Sequence, residues 1–147
     1  LAYHPDFKRS YYVRGLIYGY TRKLKEAEKD FLTFLDWKPG SWAGHNDLSW
    51  VYFQMGDFQK AEEQARLGLL DSPTNPRLFN SLGVALLNQN HPTEARPYFK
   101  ESLKQFESAD HKLWGKAYPG NDPAIYQEGY QKTIEVIKQN LALVDKL

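Results

Sequence analysis

The chain has 147 residues, 41% of them hydrophobic and 15% aromatic, with 19 basic against 18 acidic side chains and a net charge of +1. That is enough apolar material for one folded domain, and the charge balance gives no global pull towards nucleic acid or an anionic membrane. With no cysteine, a disulfide frame and a Cys-ligated zinc site are both excluded, and no apolar run approaches the ~20 residues that span a bilayer.

Nothing in the composition assigns a compartment, and no signal-peptide pattern opens the chain. It starts at Leu1 rather than Met, as expected of a processed or excised segment of a longer protein.

Residues 1–7 read as an entry segment, with Pro5 and then Asp6 as the N-cap of a helix from Arg9 to Arg22. In that helix Tyr11, Leu16, Tyr18 and Tyr20 surround Gly15 and Gly19. Each glycine costs roughly 1 kcal/mol of helix propensity, which a close approach by another helix would justify. The partner helix runs from Lys25 to Asp36, with Ala27, Phe31, Phe34 and Leu35 as its apolar face. Trp37-Lys38-Pro39-Gly40 stops it, and Ser41 caps the next helix, Trp42 to Met55. After Gly56-Asp57 comes a helix from Phe58 to Leu70. The stretch from Asp71 to Pro76 is the clearest break, combining turn formers, a cap and a proline suited to a first helical position.

A third pair follows, Pro76 to Asn88 and Thr93 to Glu107, across the turn Asn90-His91-Pro92. Beyond Glu107 the pattern fails, because Gly115, Pro119 and Gly120 stand where helix would be needed. Residues 108–121 are therefore predicted as a loop, made apolar by Leu113, Trp114 and Tyr118. Asp122-Pro123 starts a seventh helix reaching Lys146, with Tyr126, Tyr130, Ile134, Ile137, Leu141 and Val144 as one stripe.

The six earlier helices obey a period, since Ala27, Ala61 and Ala95 recur every 34 residues. Counting units from Lys8, Trp42 and Pro76, the eighth positions are Gly15, Ser49 and Gly83 and the eleventh are Tyr18, Tyr52 and Leu86. Position 24 holds Phe31, Ala65 and Phe99, and position 32 holds Pro39 and Pro73. This pattern resembles the tetratricopeptide repeat over residues 8 to 109. It departs from it in having Tyr11, His45 and Phe79 at position 4, Arg22 at position 15 and Glu107 at the third position 32.

The resemblance implies an all-α fold, a right-handed α-solenoid of three helix-turn-helix repeats. The repeats would be residues 8–41, 42–75 and 76–109, followed by an aromatic loop, 110–121, and a C-terminal capping helix, 122–147. That last helix would be roughly 36 Å long at 1.5 Å per residue. Covering its stripe requires the chain itself, which is the favoured reading, or a second molecule, which would make a homodimer through this helix.

Catalysis finds no support. His4, His45, His91 and His111 are scattered without an HExxH spacing, and no nucleophile elbow or glycine-rich phosphate loop is present. No cofactor and no metal are expected, and His45 reads as a satisfied packing residue. Binding is the stronger reading, because stacked helix pairs leave a concave face lined by the first helix of each pair.

By resemblance that face is presented by positions 2, 5, 9, 12 and 13. In this chain they are Arg9, Tyr12, Leu16, Gly19 and Tyr20; Ala43, Asn46, Trp50, Phe53 and Gln54; and Arg77, Asn80, Val84, Leu87 and Asn88. Asn46 and Asn80 at equivalent positions offer amides to an extended peptide backbone. Tyr12, Tyr20, Trp50 and Phe53 supply apolar area, and Arg9 and Arg77 could hold a carboxylate. The expected partner is a peptide or protein segment. Two competing readings make Trp50 and Phe53 core residues, or make the segment an architectural or oligomerisation module of a larger membrane or enzyme protein.

Relatives that clamp the acidic tails of heat-shock chaperones carry Lys, Asn and Arg where this chain has Tyr12, Leu16, Asp47, Arg77 and Ser81. Only Arg77 fits, and Asp47 would repel a carboxylate, so no such clamp is expected. Lys8, Arg9, Arg14, Arg22, Lys23 and Lys25 concentrate charge near the N-terminus, but acidic residues answer them from Glu26 onward. A solvated face is expected there, with no nucleic acid and no membrane contact in this segment.

Overall fold

The structure, a computed structural model, describes residues 5–108 and 123–147. The described elements are helices α1 (Pro5–Tyr20), α2 (Leu24–Trp37), α3 (Trp42–Met55), α4 (Phe58–Asp71), α5 (Pro76–Asn88), α6 (Pro92–Ser108) and α7 (Pro123–Val144). They form an α-solenoid: α1 packs on α2, α3 on α4 and α5 on α6. Each pair then rests on the next, and α7 closes against α6 and α5.

Local chemistry sets most boundaries. Ser41 Oγ accepts from the Gly44 N–H at 3.2 Å to cap α3, and Asn75 Oδ1 accepts from the Arg77 N–H at 3.0 Å at the start of α5. The turn after each first helix uses a left-handed residue at one repeat position, namely Arg22 (φ 63°), Gly56 (φ 78°) and Asn90 (φ 64°). One expectation is corrected. The first helix begins at Pro5, so Asp6 lies inside its first turn and is not the cap. The fixed φ and missing N–H of Pro5 suit a first helical position better than an entry segment. The expected loop and the Asp122 cap lie outside the described residues.

The two glycines of α1 do mark close approaches. A Cβ at Gly15 would sit 3.1 Å from the Phe31 ring, and one at Gly19 would sit 2.9 Å from the Trp50 ring. In the third pair a Cβ at Gly83 would meet Phe99 at 2.7 Å. Where the middle pair has Ser49, the facing position is the small Ala65, and the buried hydroxyl donates to the Ala61 carbonyl at 2.7 Å. Small residues on the first helix thus admit large ones on the second, and the helices interlock at van der Waals distance.

Two clusters make the core. The first gathers Ala27, Phe31, Phe34, Leu35, Leu48, Val51 and Tyr52, and the second joins Leu82, Leu86, Phe99 and Phe106 to Ile134, Ile137 and Val144 of α7. The stripe of α7 is therefore covered at these residues by the chain's own third pair, as a solenoid end requires. Tyr130 meets the Phe106 ring edge-on at 5.5 Å, and Arg96 Nε donates to Asp145 Oδ1 at 2.6 Å. No helix among the described residues is long and apolar enough to cross a membrane.

Candidate binding face

Helices α1, α3 and α5 lie side by side and carry all nine candidate residues. Two hydrogen bonds of the same kind stitch them, each joining position 5 of one unit to position 6 of the next. Tyr12 Oη donates to Asp47 Oδ2 at 2.6 Å, and Ser81 Oγ donates to Asn46 Oδ1 at 2.9 Å; both span 35 residues. The third member of this series, Asn80, has its Oδ1 buried and unpaired.

This changes the expected pair of amides. The Asn46 carbonyl is already engaged, whereas the equivalent atom of Asn80 has no partner, so the two offer different chemistry. Sequence reading missed Ser81 as the cause, although a hydroxyl 35 residues beyond an Asn was the available signal.

Asp47 sits between Tyr12, Asn46 and Arg77. Burial pushes its carboxyl above the usual range, against the opposing pull of hydrogen bonds from Tyr12 and Asn46 and of the Arg77 charge. The folded state therefore holds the Asp47 proton more tightly than the unfolded chain does. Its contribution to stability is full below the unfolded value of about 3.9 and is lost as pH rises through the raised folded value. Asp47→Asn cannot ionise, so its melting temperature relative to wild type should climb with pH across that window and level off above it. A pH-independent difference would contradict this assignment.

The aromatic residues divide into two kinds. Tyr20 is 79% exposed, and its ring lies 5.8 Å from that of Trp50, itself 39% exposed. Phe53 instead is half-buried, packs against the first core cluster and meets the Phe58 ring at 5.6 Å. Tyr12 is also half-buried, with its ring 5.0 Å from that of Phe34. Tyr20 and Trp50 are thus the large apolar surfaces presented outwards.

Gly19 sets the pose of Trp50, because a Cβ there would fall 2.9 Å from Trp50 Cζ3. Gly19→Ala should leave stability nearly unchanged, since a helix-propensity gain of about 1 kcal/mol offsets the displaced ring. It should still weaken any ligand that reads the indole by about tenfold. A calorimetric titration beside a thermal melt checks both halves.

The other candidates are more loosely held. Arg9 and Arg77 are exposed, and the Asn88 amide donates to the Val84 carbonyl of its own helix at 2.8 Å. Gln54, which belongs to the same face, accepts from the Arg22 guanidinium. His45 is a packing residue: it is buried, with Nδ1 2.8 Å from Gln64 Oε1 and Nε2 2.8 Å from the Pro39 carbonyl. Among the described residues no cluster of His, Asp and Glu could hold a metal ion.

Two family models of the tetratricopeptide repeat match, one over residues 8–41 and the other over residues 46–110. No curated protein matches the chain by sequence. Among solved structures, the Yersinia enterocolitica type III secretion chaperone SycD, in complex with a peptide of the translocator YopD, superposes with a TM-score of 0.77. The two are 14% identical over 99% of this chain and 97% of that one. The second repeat domain of the human RPAP3 protein, in complex with an HSP70 peptide, gives 0.71 at 16% identity over 98% of this chain and 100% of that one. MamA gives 0.65 at 24% identity over 68% of this chain, which spans 58% of the MamA chain.

Proposed function

Because the chain belongs to the tetratricopeptide-repeat family, whose members are non-catalytic protein–protein interaction modules, we propose that the face of α1, α3 and α5 binds an extended peptide or protein segment. The observation that carries this reading is the Tyr20–Trp50 pair, two large rings in mutual contact and turned to solvent on the face lined by the first helix of each pair. Exposed aromatic area with few rotatable bonds binds at small entropic cost and is the usual anchor of a recognition site.

Two solved structures of this fold hold peptides, which supports the reading by likeness of fold. The polar middle differs from a carboxylate clamp, since Asp47 occupies it and is tied to Tyr12. An acidic chaperone tail should therefore bind weakly or not at all. The experiment is a selection of peptides from a random displayed library, followed by titration of the isotope-labelled protein with the best sequence. Chemical-shift changes should gather at Tyr20, Trp50 and Asn80. Changes confined to the outer sides of α2, α4 and α6 would refute the proposal.

A further inference from the structure

Among the described residues the backbone turns left-handed at Arg22, Gly56 and Asn90, which share position 15 of the repeat. All three close their helix alike. Their N–H groups meet the carbonyl three residues back at 3.2, 3.0 and 3.1 Å, and the next N–H reaches the carbonyl five residues back at 2.9, 2.9 and 3.0 Å. Glycine adopts this conformation freely and asparagine readily, whereas arginine is strained in it. The turn itself gives no reason for arginine.

The reason lies in where the side chain goes. The Arg22 guanidinium crosses to α3, where Nη1 donates to Gln54 Oε1 at 2.5 Å. This holds it beside the exposed rings, because Gln54 follows Trp50 by one helical turn and Arg22 follows Tyr20 by two residues. Gln54 meanwhile keeps its Nε2 buried without a partner, a second unfavourable local feature. Both converge on one result, a cation fixed at the edge of the Tyr20–Trp50 pair.

Neighbouring charges do not answer that cation. Lys25 pairs with Glu28 at 3.3 Å, Lys60 pairs with Asp57 at 3.4 Å, and Lys23 Nζ lies 5.8 Å from the centre of the Tyr18 ring. Arg22 is exposed, and no carboxylate among the described residues lies within ion-pairing distance of it. A guanidinium has five N–H donors in a planar fork, so the contact with Gln54 leaves enough of them to grip a carboxylate.

We propose that Arg22 is a specificity-determining residue of this face, reading a Glu or Asp side chain within about two residues of the large apolar residue that seats on Tyr20 and Trp50. The inference rests on the peptide-binding reading of α1, α3 and α5 and names the class of peptide that the face selects. The acid it names is a side chain inside the peptide, not a chain-terminal carboxylate.

The test selects peptides from a random displayed library on wild type, Arg22→Gly and Arg22→Glu. The best wild-type sequence is then titrated with an amidated C-terminus, beside a version whose acidic residue is replaced by its amide. Wild-type sequences should be enriched in Glu or Asp near a large apolar residue. That enrichment should vanish with Arg22→Gly and turn to Lys or Arg with Arg22→Glu. The acidic peptide should lose at least about fivefold in affinity on Arg22→Gly or on neutralisation, and little more when both changes are made. Arg22→Gly should nevertheless melt at or above the wild type, because glycine suits the left-handed turn.

An Arg22→Gly variant that melts lower and loses acidic and neutral peptides alike would mark a structural residue and overturn the proposal. Peptides that need Trp50 but show no acidic preference would overturn it while leaving the peptide-binding face intact. Failure to select any peptide that needs Trp50 would overturn both.

Discussion

Phe99→Ala is expected to cost about 3–5 kcal/mol of stability. Phe99 is fully buried and stands where the third helix pair interlocks, with its ring against Gly83 and its cluster shared with Ile134 and Ile137 of α7. Truncation removes the transfer free energy of the ring and leaves a cavity between three helices that cannot all close on it. For a domain of this size each kcal/mol lowers the melting temperature by about 2–4 °C, so a drop on the order of 10 °C should be seen by calorimetry.

A double-mutant cycle sharpens this. Gly83→Ala alone should destabilise, because its Cβ would fall 2.7 Å from the Phe99 ring. In the Phe99→Ala background the same change should be neutral or stabilising, since the obstructing ring is gone and alanine favours helix. Additive effects would mean that the two residues do not form the interlock.

Trp50→Ala should reduce affinity for a selected peptide by about 30-fold, roughly 2 kcal/mol, with a much smaller loss of stability. The indole rests on Gly19 and beside Tyr20 rather than inside either core cluster, and more than a third of it is exposed. Its removal deletes contact area for a ligand more than internal packing. A module that serves only to set spacing or oligomeric state would give the opposite pattern, with affinity unmoved by Trp50→Ala. Phe53→Ala is the natural control, because Phe53 packs on Phe58 and the first core cluster and should cost stability first.

The repeat was legible because its signals are local or periodic. Ala27, Ala61 and Ala95 recur at one spacing since only a small side chain fits where two helices cross, and all three are buried in the structure. Ser41, Gly56 and Asn75 declare helix ends through chemistry that acts within a few residues. The start of α1 was misread because proline both ends and begins helices, and the sequence before Asp6 is too short to carry a period.

The binding face was legible in outline only. Placing Asn46 and Asn80 at equivalent positions was sound register, but their different states depend on what the next unit presents. Ser81 meets Asn46, while Asn80 Oδ1 finds no partner. Such bonds cross between units and leave no trace within one repeat. Phe53 shows the same limit, since a large apolar residue at a face position looks alike in sequence whether it turns inward or outward.

On the proposed function, the face of α1, α3 and α5 binds a ligand through its exposed aromatic pair. Its most direct measurement is the dissociation constant of a selected peptide for wild type and Trp50→Ala, with the melting temperature of each recorded alongside. An affinity loss of about 30-fold is expected, with melting temperatures a few degrees apart at most. Equal affinities, or a loss that appears only because Trp50→Ala has unfolded, would contradict it.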